Sequence, residues 1–392
     1  MNPELSSFAA RLRELISTPH SALRTPHFSA LALELFALQF QHNSAYRKIC
    51  EARRLTPQVV GHWTQIPAVP AAAFKELELT SLAPDERTAV FHSSGTTGQK
   101  PSRHFHNAES LAVYAASLWT WFAANAATGT PSTVSASPTS DLKLADPEIG
   151  VPSVLPFQLI VLTPPPAQVP HSSLVHMFET VRRKLGAAEP AFLGALAADG
   201  AWTIDFDATL ALLGNDSKSE IPNPKLILGT AFSFVHLLDY LAERDLRFML
   251  PAGSLALETG GYKNRSRVLP KEELHTLITE RLGVPRENLL CEYGMSELSS
   301  QAYDSEIHPP SSILHPRVFN FPPWARVQII SPETGREVAE GETGLIRIFD
   351  LANVFSVAAI QTEDLGIRCG DGFELLGRAQ LAEPRGCSLM TA

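Results

Sequence analysis

Apolar positions in the first fifty residues recur with the spacing of amphipathic helices. Phe8, Leu12 and Leu15 lie on one helical face, and a second, strongly apolar helix is predicted over 31–40, ending near Asn43. We interpret residues 1–60 as an N-terminal helical segment that packs on the rest of the chain.

Short apolar runs alternate with helical patterns through the middle of the chain. A strand over 88–91 is followed by a loop rich in Ser, Thr and Gly and by a helix over 110–127. Further strands are predicted over 154–162, 225–228 and 248–252. This alternation is typical of α/β proteins with a mostly parallel sheet flanked by helices, so we assign residues 61–314 to an α/β body.

The pattern changes from residue 315 to residue 377. Short alternating strands with glycine turns, such as WARVQIIS, GLIRIFD and GFELLGR, predict a small antiparallel β subdomain. Residues 378–392 then form a C-terminal tail that carries a cysteine.

Composition excludes several classes of protein. The chain has 392 residues, 44% of them hydrophobic and 19% charged, as in an ordinary globular protein. Its net charge of −9 argues against a nucleic-acid partner. No apolar run approaches the roughly 20 residues of a membrane span, and the start does not resemble a secretory signal, so we expect a cytoplasmic protein. Four widely spaced cysteines indicate neither a zinc site nor a disulfide framework.

The strongest local motif is the loop at residues 93–100, which contains two glycines and four hydroxyl side chains and ends in Lys100. Small residues allow close approach of the backbone to phosphates, and amides, hydroxyls and a lysine can bind their oxygens. The spacing is not that of a Walker A loop, and an ordinary turn has the same composition.

Two further motifs are similarly ambiguous when taken singly. Tyr293 to Glu297 follows an apolar strand and offers a ring, a hydroxyl and a carboxylate; Asp364 stands beside Gly366. The first motif could stack on a base and bind Mg²⁺, and the aspartate could accept hydrogen bonds from a ribose. Each is also compatible with a turn or a capping residue.

In order and spacing, these motifs resemble the signature loops of the adenylate-forming superfamily of acyl-CoA synthetases, luciferases and adenylation domains. The chain is similar in more detail to the acyl-protein synthetase (LuxE-like) family of that superfamily. That resemblance rests on the motifs of residues 40–43, Tyr46, Cys50, 66–67, 74–75, 172–174, 258–263 and 385–389.

The resemblance implies a role for each position in binding ATP and Mg²⁺. Gly260 and Gly261 would form the floor beneath the adenine, with Tyr293 and Gly294 against it. Ser296 would contact the α-phosphate, Glu297 would bind Mg²⁺, and Asp364, with Arg378 of the Gly-Arg pair near it, would hold the ribose. The pyrophosphate end of ATP would be surrounded by Ser93, Ser94, Gly95, Thr96, Thr97, Gly98 and Lys100.

The sequence departs from the superfamily pattern at several points. Lys100 precedes a proline where many members have the reverse order, Ser296 replaces a threonine, and Glu363 replaces the glycine before Asp364. Typical members also continue for about a hundred residues past the Gly-Arg pair, whereas this sequence stops fourteen residues after Arg378. We therefore expect the usual mobile C-terminal domain to be missing.

The resemblance implies a two-step reaction. A carboxylic acid, for this family a long-chain fatty acid, is adenylated by ATP; Cys387 then accepts the acyl group as a thioester. A thiolate is a strong nucleophile, and the tail is long enough to enter the site. Onward transfer would go to an acyl reductase partner that makes the aldehyde.

Three alternatives remain open. The substrate could be an aryl or short-chain acid, the enzyme could be a coenzyme-A ligase of the phenylacetate type, or the chain could be an inactive scaffold subunit of a reductase complex. The apolar residues Phe232, Phe234, Leu237, Leu238 and Tyr240 could line an acyl tunnel, but such a stripe is more often part of a core.

Overall fold

The computed structural model describes residues 2–18, 25–93, 100–128, 157–189, 191–214, 223–261, 266–304 and 317–379. The α-helices of these ranges are α1 Pro3–Ser17, α2 Thr25–His42, α3 Ser44–Ala52, α4 Ala73–Glu76, α5 Ala108–Thr128, α6 Ser173–Leu185, α7 Phe206–Gly214, α8 Ala231–Glu243 and α9 Lys271–Leu282. The strands are β1 Val69–Pro70, β2 Ala89–His92, β3 Arg103–His106, β4 Gln158–Val161, β5 Gly194–Leu196, β6 Trp202–Ile204, β7 Lys225–Thr230, β8 Leu255–Thr259, β9 Leu289–Tyr293, β10 Ala302–Asp304, β11 Phe319–Asn320, β12 Ala325–Ile330, β13 Thr343–Asp350, β14 Ala359–Cys369 and β15 Gly372–Arg378.

The predicted N-terminal helices are present and form a layer over the C-terminal strands. On α1, Leu5, Phe8 and Leu12 are buried on one face, and the helix packs against α5. Asn43 ends α2 and caps α3, because its side chain accepts the backbone N–H of Tyr46 at 3.0 Å. An asparagine at this position satisfies one of the unpaired amides at a helix start.

Eleven strands of the described residues share one sheet. Its parallel part has the order β9-β8-β7-β4, and β7 and β8 are buried along their whole length. Helices cover both faces, which explains why these strands are continuously apolar rather than alternating. The predicted parallel sheet is therefore confirmed.

One predicted strand is wrong. Residues 248–252 form no strand; the strand follows at β8, beyond a turn at Gly253, whose φ is 83°. Phe248 and Leu250 instead donate their amides to the carbonyls of Arg281 and Leu282 at the end of α9. Pro251 and Gly253 favour a turn and so displace the strand toward the C-terminus.

The predicted antiparallel strands are β12 to β15, and they join the parallel strands in the same sheet. β15 pairs with β11, β11 with β10, and β10 with β9, all antiparallel. β14 also pairs with β1, in parallel register. The end of β9 is therefore joined through β10 and β11 to the antiparallel strands β12 to β15.

The apolar stripe on α8 belongs to the core. Phe234, Leu237 and Leu238 are buried against β4, β7 and α9. Within the described ranges, no helix combines the length and the apolar character that a membrane crossing requires.

A buried carboxylate joins β13 to the segment after β9. Asp350 is fully buried and accepts the backbone amides of Ser299, Ser300 and Ala352 at 2.8 to 2.9 Å, together with the hydroxyl of Ser300 at 2.7 Å. Burial raises the pKa of Asp350, and these donors oppose the shift. Buried carboxylates persist where hydrogen bonds compensate for lost hydration.

Asp350→Ala should lower the free energy of unfolding by roughly 3 kcal/mol or more, because three buried amides lose their acceptor. Thermal and urea unfolding measure the change. Asp371→Ala, at an exposed turn in the same part of the chain, serves as the matched control and should change stability by less than about 0.5 kcal/mol. Equal stabilities of the two variants would contradict the structural role of Asp350.

Candidate active site

A cavity of about 610 Å³ opens where the carboxyl ends of β8 and β9 meet β14. Ligands of open α/β sheets commonly bind at the carboxyl ends of parallel strands. The sequence motifs converge here although they are far apart in the chain. The predicted residues among the described cavity walls are Ser93, Gly260, Gly294, Ser296, Glu297, Asp364 and Arg378.

Tyr293 stands at the end of β9 and contacts Asp364 on β14. Its hydroxyl donates to Asp364 Oδ2 at 2.8 Å, and its ring meets Phe319 and Phe373 edge-on. Burial raises the pKa of Tyr293, so the hydroxyl keeps its proton and acts as a donor. Burial also raises the pKa of Asp364, and the hydrogen bond from Tyr293 and the charge of Arg378 oppose that shift.

Ser296 and Glu297 are held by a network of buried hydrogen bonds. The Ser296 hydroxyl donates to Glu297 Oε2 at 3.0 Å and lies 3.3 Å from the hydroxyl of Ser102. His104 Nδ1 lies 2.9 Å from the Ser296 carbonyl, and because a carbonyl only accepts, Nδ1 is the donor. Burial lowers the pKa of His104 to about 4, so the ring is neutral. Asn353 Nδ2 donates to the Glu297 carbonyl at 2.9 Å. Hydrogen bonds to their backbone carbonyls therefore fix the positions of Ser296 and Glu297.

Burial raises the pKa of Glu297, and hydrogen bonds from Ser102 and Ser296 oppose the shift. A buried carboxylate beside hydroxyl oxygens is a set of hard oxygen donors, which suits Mg²⁺. The residues present therefore fit a magnesium ion that also contacts a bound phosphate.

The Ser/Thr/Gly loop is described only at its ends. Ser93 lines the cavity, and its hydroxyl accepts the Ser102 amide at 3.0 Å, which holds the two ends of the loop together. The predicted residues Ser94, Gly95, Thr96, Thr97 and Gly98 lie outside the described residues. Lys100 pairs with Glu76 at 3.2 Å; of the described lysines, it is Lys75 that lines the cavity.

The two glycines after β8 differ in position. Gly260 lines the cavity with a φ of 69°, a conformation that a β-carbon would strain. Gly261 is exposed and is not among the described lining residues. At Gly294, a β-carbon would collide with the carboxyl of Glu292.

Arg378 lies opposite Asp364 in the β14–β15 pair, with Nε 3.8 Å from Asp364 Oδ1. The Arg378 side chain is 80% exposed, so it can move toward a ligand. Cys387, the predicted acyl acceptor, lies outside the described residues.

Beneath β9 lies a buried cluster of Glu258, His275 and Cys291 whose ligand atoms are within 4.8 Å of one another. Arg317 lies 3.0 Å from His275 Nδ1, and because arginine only donates, that nitrogen is the acceptor. The proton of His275 is then on Nε2, facing the Cys291 thiol at 3.4 Å, and the thiol donates to Glu258 at 3.1 Å. A metal ion would have to displace these protons, so we interpret the cluster as a hydrogen-bond network that supports β9.

Several residues behind the cavity wall carry no local sequence signal of their role. Ser102, His104 and Asn353 act through contacts with Ser296 and Glu297 that span 56 to 194 residues. Glu292 immediately precedes the Tyr293–Glu297 motif, and the sequence does not indicate that its side chain faces the cavity. Its pKa is raised to about 7, chiefly by burial and also by Glu258.

Comparison with solved structures identifies the class of fold. The chain is similar to a 2-hydroxyisobutyryl-CoA ligase in an open conformation in complex with 2-HIB-AMP and CoA, with a TM-score of 0.60 and 14% identity over 91% of this chain and 75% of that one. The same ligase in its postadenylation state gives a TM-score of 0.59 and 14% identity over 92% and 69%. The fold is that of the adenylate-forming enzymes.

The family follows from sequence comparison. Residues 20–112 and 109–392 match the family model "Acyl-protein synthetase, LuxE", and the chain belongs to that family. Long-chain-fatty-acid–luciferin-component ligases of Aliivibrio fischeri and Vibrio harveyi are 27% and 23% identical to it, over 48% and 47% of this chain and 50% and 49% of theirs. The chain thus matches about half the length of these curated relatives.

Glu292→Gln should flatten the dependence of thermal stability on pH. The folded-state pKa of about 7 exceeds the ordinary value of 4.5, so stability from this group is fully present below pH 4.5 and is lost as pH rises through 7. Between pH 6 and pH 8 the free energy of unfolding of the unmodified protein should fall by about 1 kcal/mol more than that of the variant.

Thermal unfolding at pH 6, 7 and 8 measures this difference. The exposed Glu287→Gln is the matched control and should follow the unmodified protein. If the Glu292→Gln curve also ran parallel to that of the unmodified protein, Glu292 would not carry the shifted pKa.

Proposed function

We propose that this protein uses ATP to convert a carboxylic acid into an acyl adenylate and then transfers the acyl group to a protein thiol. The observation that carries the proposal is the convergence of Gly260, Ser296, Glu297 and Asp364 on one cavity, with Tyr293 hydrogen-bonded to Asp364 from behind the wall. These positions come from three separate segments, and membership of the acyl-protein synthetase family supports the same reaction.

In this proposal the nucleoside lies between Gly260 and the Tyr293–Asp364 pair. Asp364 accepts from the ribose hydroxyls, and Tyr293 fixes the direction of its carboxyl group by donating to one oxygen. The α-phosphate lies at Ser296, whose hydroxyl can turn from Glu297 to a phosphate oxygen. Ser93 and Lys75 lie on the cavity wall where the Ser/Thr/Gly loop begins.

Glu297 would hold Mg²⁺, with the Ser296 hydroxyl beside it. When bound, this ion would neutralise charge on the phosphates. The protein's own contribution is positional: Asn353 and His104 fix the backbone of residues 296 and 297, so that the hydroxyl and the carboxylate need not reorganise during the reaction.

In the first step a carboxylate oxygen attacks the α-phosphorus, and the bond from that phosphorus to the bridging oxygen of pyrophosphate breaks. In the second step the Cys387 thiolate attacks the acyl carbonyl, a carbon–sulfur bond forms, and AMP leaves with the former anhydride oxygen. The thiol proton passes to solvent. The names of the relatives support a long-chain fatty acid as the substrate. That an acyl reductase receives the acyl group is a further part of the proposal, taken from the family resemblance.

Glu297→Ala and Asp364→Ala should each reduce acid-dependent ATP–pyrophosphate exchange by about a hundredfold or more, because each removes a group positioned for the reacting nucleotide. The exposed Glu287→Ala and Asp371→Ala are matched controls and should keep full exchange. Undiminished exchange in both site variants would refute this use of the cavity.

Cys387→Ser should leave pyrophosphate exchange intact and abolish the stable acyl-enzyme, because an unactivated serine hydroxyl is a much weaker nucleophile than a thiolate. The protein is incubated with Mg-ATP and a radiolabelled acid, denatured without reducing agent and treated with hydroxylamine. Cys369→Ser is the control and should still be labelled. Hydroxylamine-sensitive label on Cys387→Ser would assign the acceptor elsewhere, and acid-dependent consumption of coenzyme A would favour a coenzyme-A ligase.

A further inference from the structure

The cavity has a second polar region on the opposite face of β9 from Tyr293. Successive strand residues point to opposite faces, so Glu292 lies on the face of Leu290, toward α5 and α6, whereas Tyr293 lies toward β11 and β15. Leu174 and Met177 line the cavity on the Glu292 side. This half of the cavity therefore combines apolar wall residues with polar ones, and it lies beside the half that we assign to the nucleotide.

Glu292 is a buried acidic residue of this wall. Its side chain lines the cavity and is buried, with 9% of the residue exposed. Within the described residues, its hydrogen bond comes from the Thr259 hydroxyl to Oε2. Oε1 points across Gly294, the one position along β9 and its turn where the absence of a β-carbon leaves room for it.

Gln301 lies beside Glu292. It precedes β10, which pairs with β9, and a β-carbon on Gly294 would lie 3.6 Å from Gln301 Cγ. Gln301 lines the cavity, is 5% exposed, and its Oε1 is buried without a hydrogen-bond partner in the described structure. A buried acceptor left unpaired is costly, and such an atom often marks a place where a ligand or water donates.

Among the described groups that shift the pKa of Glu292, none is positively charged. The titratable groups that face it are Glu258 on β8, Tyr114 on α5 and Tyr303 on β10, and each is neutral or negative. Burial and Glu258 together favour the protonated carboxyl. The groups around Glu292 therefore include no cation, and the acceptors of the region are Gln301 Oε1 and the Glu292 carboxyl, which accepts through its carbonyl oxygen even when protonated.

We propose that Glu292 and Gln301 form a specificity site for a hydrogen-bond donor, a hydroxyl or an amino group, carried by the acid substrate on the part of the molecule distal to its carboxylate. This inference rests on the proposed adenylation and refines its substrate class. The preferred acid has an apolar body, which packs on Leu174 and Met177, and a polar group that reaches Glu292. An unsubstituted fatty acid leaves the buried Oε1 of Gln301 unpaired and offers Glu292 no donor beyond the Thr259 hydroxyl.

The two donors differ in their effect on Glu292. A hydroxyl donates to Oε1 without changing the charge of the site, whereas an ammonium group requires an ionised carboxylate, so its binding near neutral pH releases the carboxyl proton to solvent. Calorimetric titrations in two buffers of different ionisation enthalpy distinguish these cases, because only the second shows buffer-dependent heat.

The test compares acids that differ in one group. The probes are hexanoate, decanoate and tetradecanoate with their ω-hydroxy and ω-amino derivatives, and benzoate with its para-hydroxy and para-amino derivatives. The kcat/KM of ATP–pyrophosphate exchange should be at least about tenfold higher for a donor-bearing acid than for its unsubstituted counterpart. Equal or higher values for the unsubstituted acid in every series would overturn the proposal.

Variants of Glu292 and Gln301 test whether these two residues cause the preference for a donor-bearing acid. Glu292→Leu and Gln301→Leu should each reduce the preference by about tenfold and should raise kcat/KM for the unsubstituted acid, which a merely unfolded protein could not do. Glu292→Gln keeps an acceptor oxygen, so it should retain the preference for a hydroxy acid but lose the preference for an amino acid derivative that carries an ammonium group. Glu287→Gln is the exposed control. A preference unchanged in both leucine variants would place the donor elsewhere and refute the assignment.

A binding measurement separates this inference from the proposed reaction. The same acids are added without ATP, and the rise in melting temperature is recorded for the unmodified protein and for Glu292→Leu. A larger rise with the donor-bearing acid, lost in the variant, supports the site even if no acid supports pyrophosphate exchange. Equal rises for paired acids count against the site, whatever the exchange assay shows.

Discussion

The buried carboxylate of Asp350 is the interaction on which the geometry of the cavity depends. It gathers the amides of residues 299 and 300 at the end of β13, and so determines where the chain goes after the Tyr293–Glu297 motif. Asn353, three residues later, receives the Ser299 hydroxyl at 2.7 Å and donates to the Glu297 carbonyl. The hydrogen bond from Asn353 therefore fixes the backbone of Glu297 and keeps its side chain at the cavity wall.

The same network extends to the first helices. Gln39 on α2 donates to the Asn353 carbonyl at 2.8 Å and accepts the Ala358 amide at 3.0 Å. On the other side, Trp324 donates to Ser117, and Ser117 meets the Ser300 hydroxyl beside Asp350. Buried polar groups of this kind are favourable only when every member has a partner, so the N-terminal helices complete the site from behind.

Much of this architecture could be predicted from local sequence. The helices follow from the spacing of residues such as Phe8 and Leu12, and the parallel strands from continuous apolar runs. The three motifs suggested the cavity because their order and spacing match a family. A strand over 248–252 was wrong, since a periodic pattern does not show that Pro251 and Gly253 impose a turn first.

The parts of the site that were not predicted depend on contacts across long separations. Nothing near Ser102 or Asn353 indicates that they meet residues 296 and 297. Lys100 ends the Ser/Thr/Gly loop and is therefore predicted to bind phosphate, but in the structure it pairs with Glu76. Glu292 precedes Tyr293 on β9, and only the sheet geometry shows that its side chain faces the half of the cavity lined by Leu174 and Met177.

The hydrogen bond between Gln39 and Asn353 joins residues that are 314 positions apart. During synthesis, the helices that lie behind the cavity leave the ribosome long before the strands that they support. A nascent chain ending anywhere before β14 also lacks Asp364, so it can bury its parallel strands but cannot hold a nucleotide in the proposed manner. The order of synthesis thus delays the appearance of the proposed nucleotide site until almost the whole described fold is available.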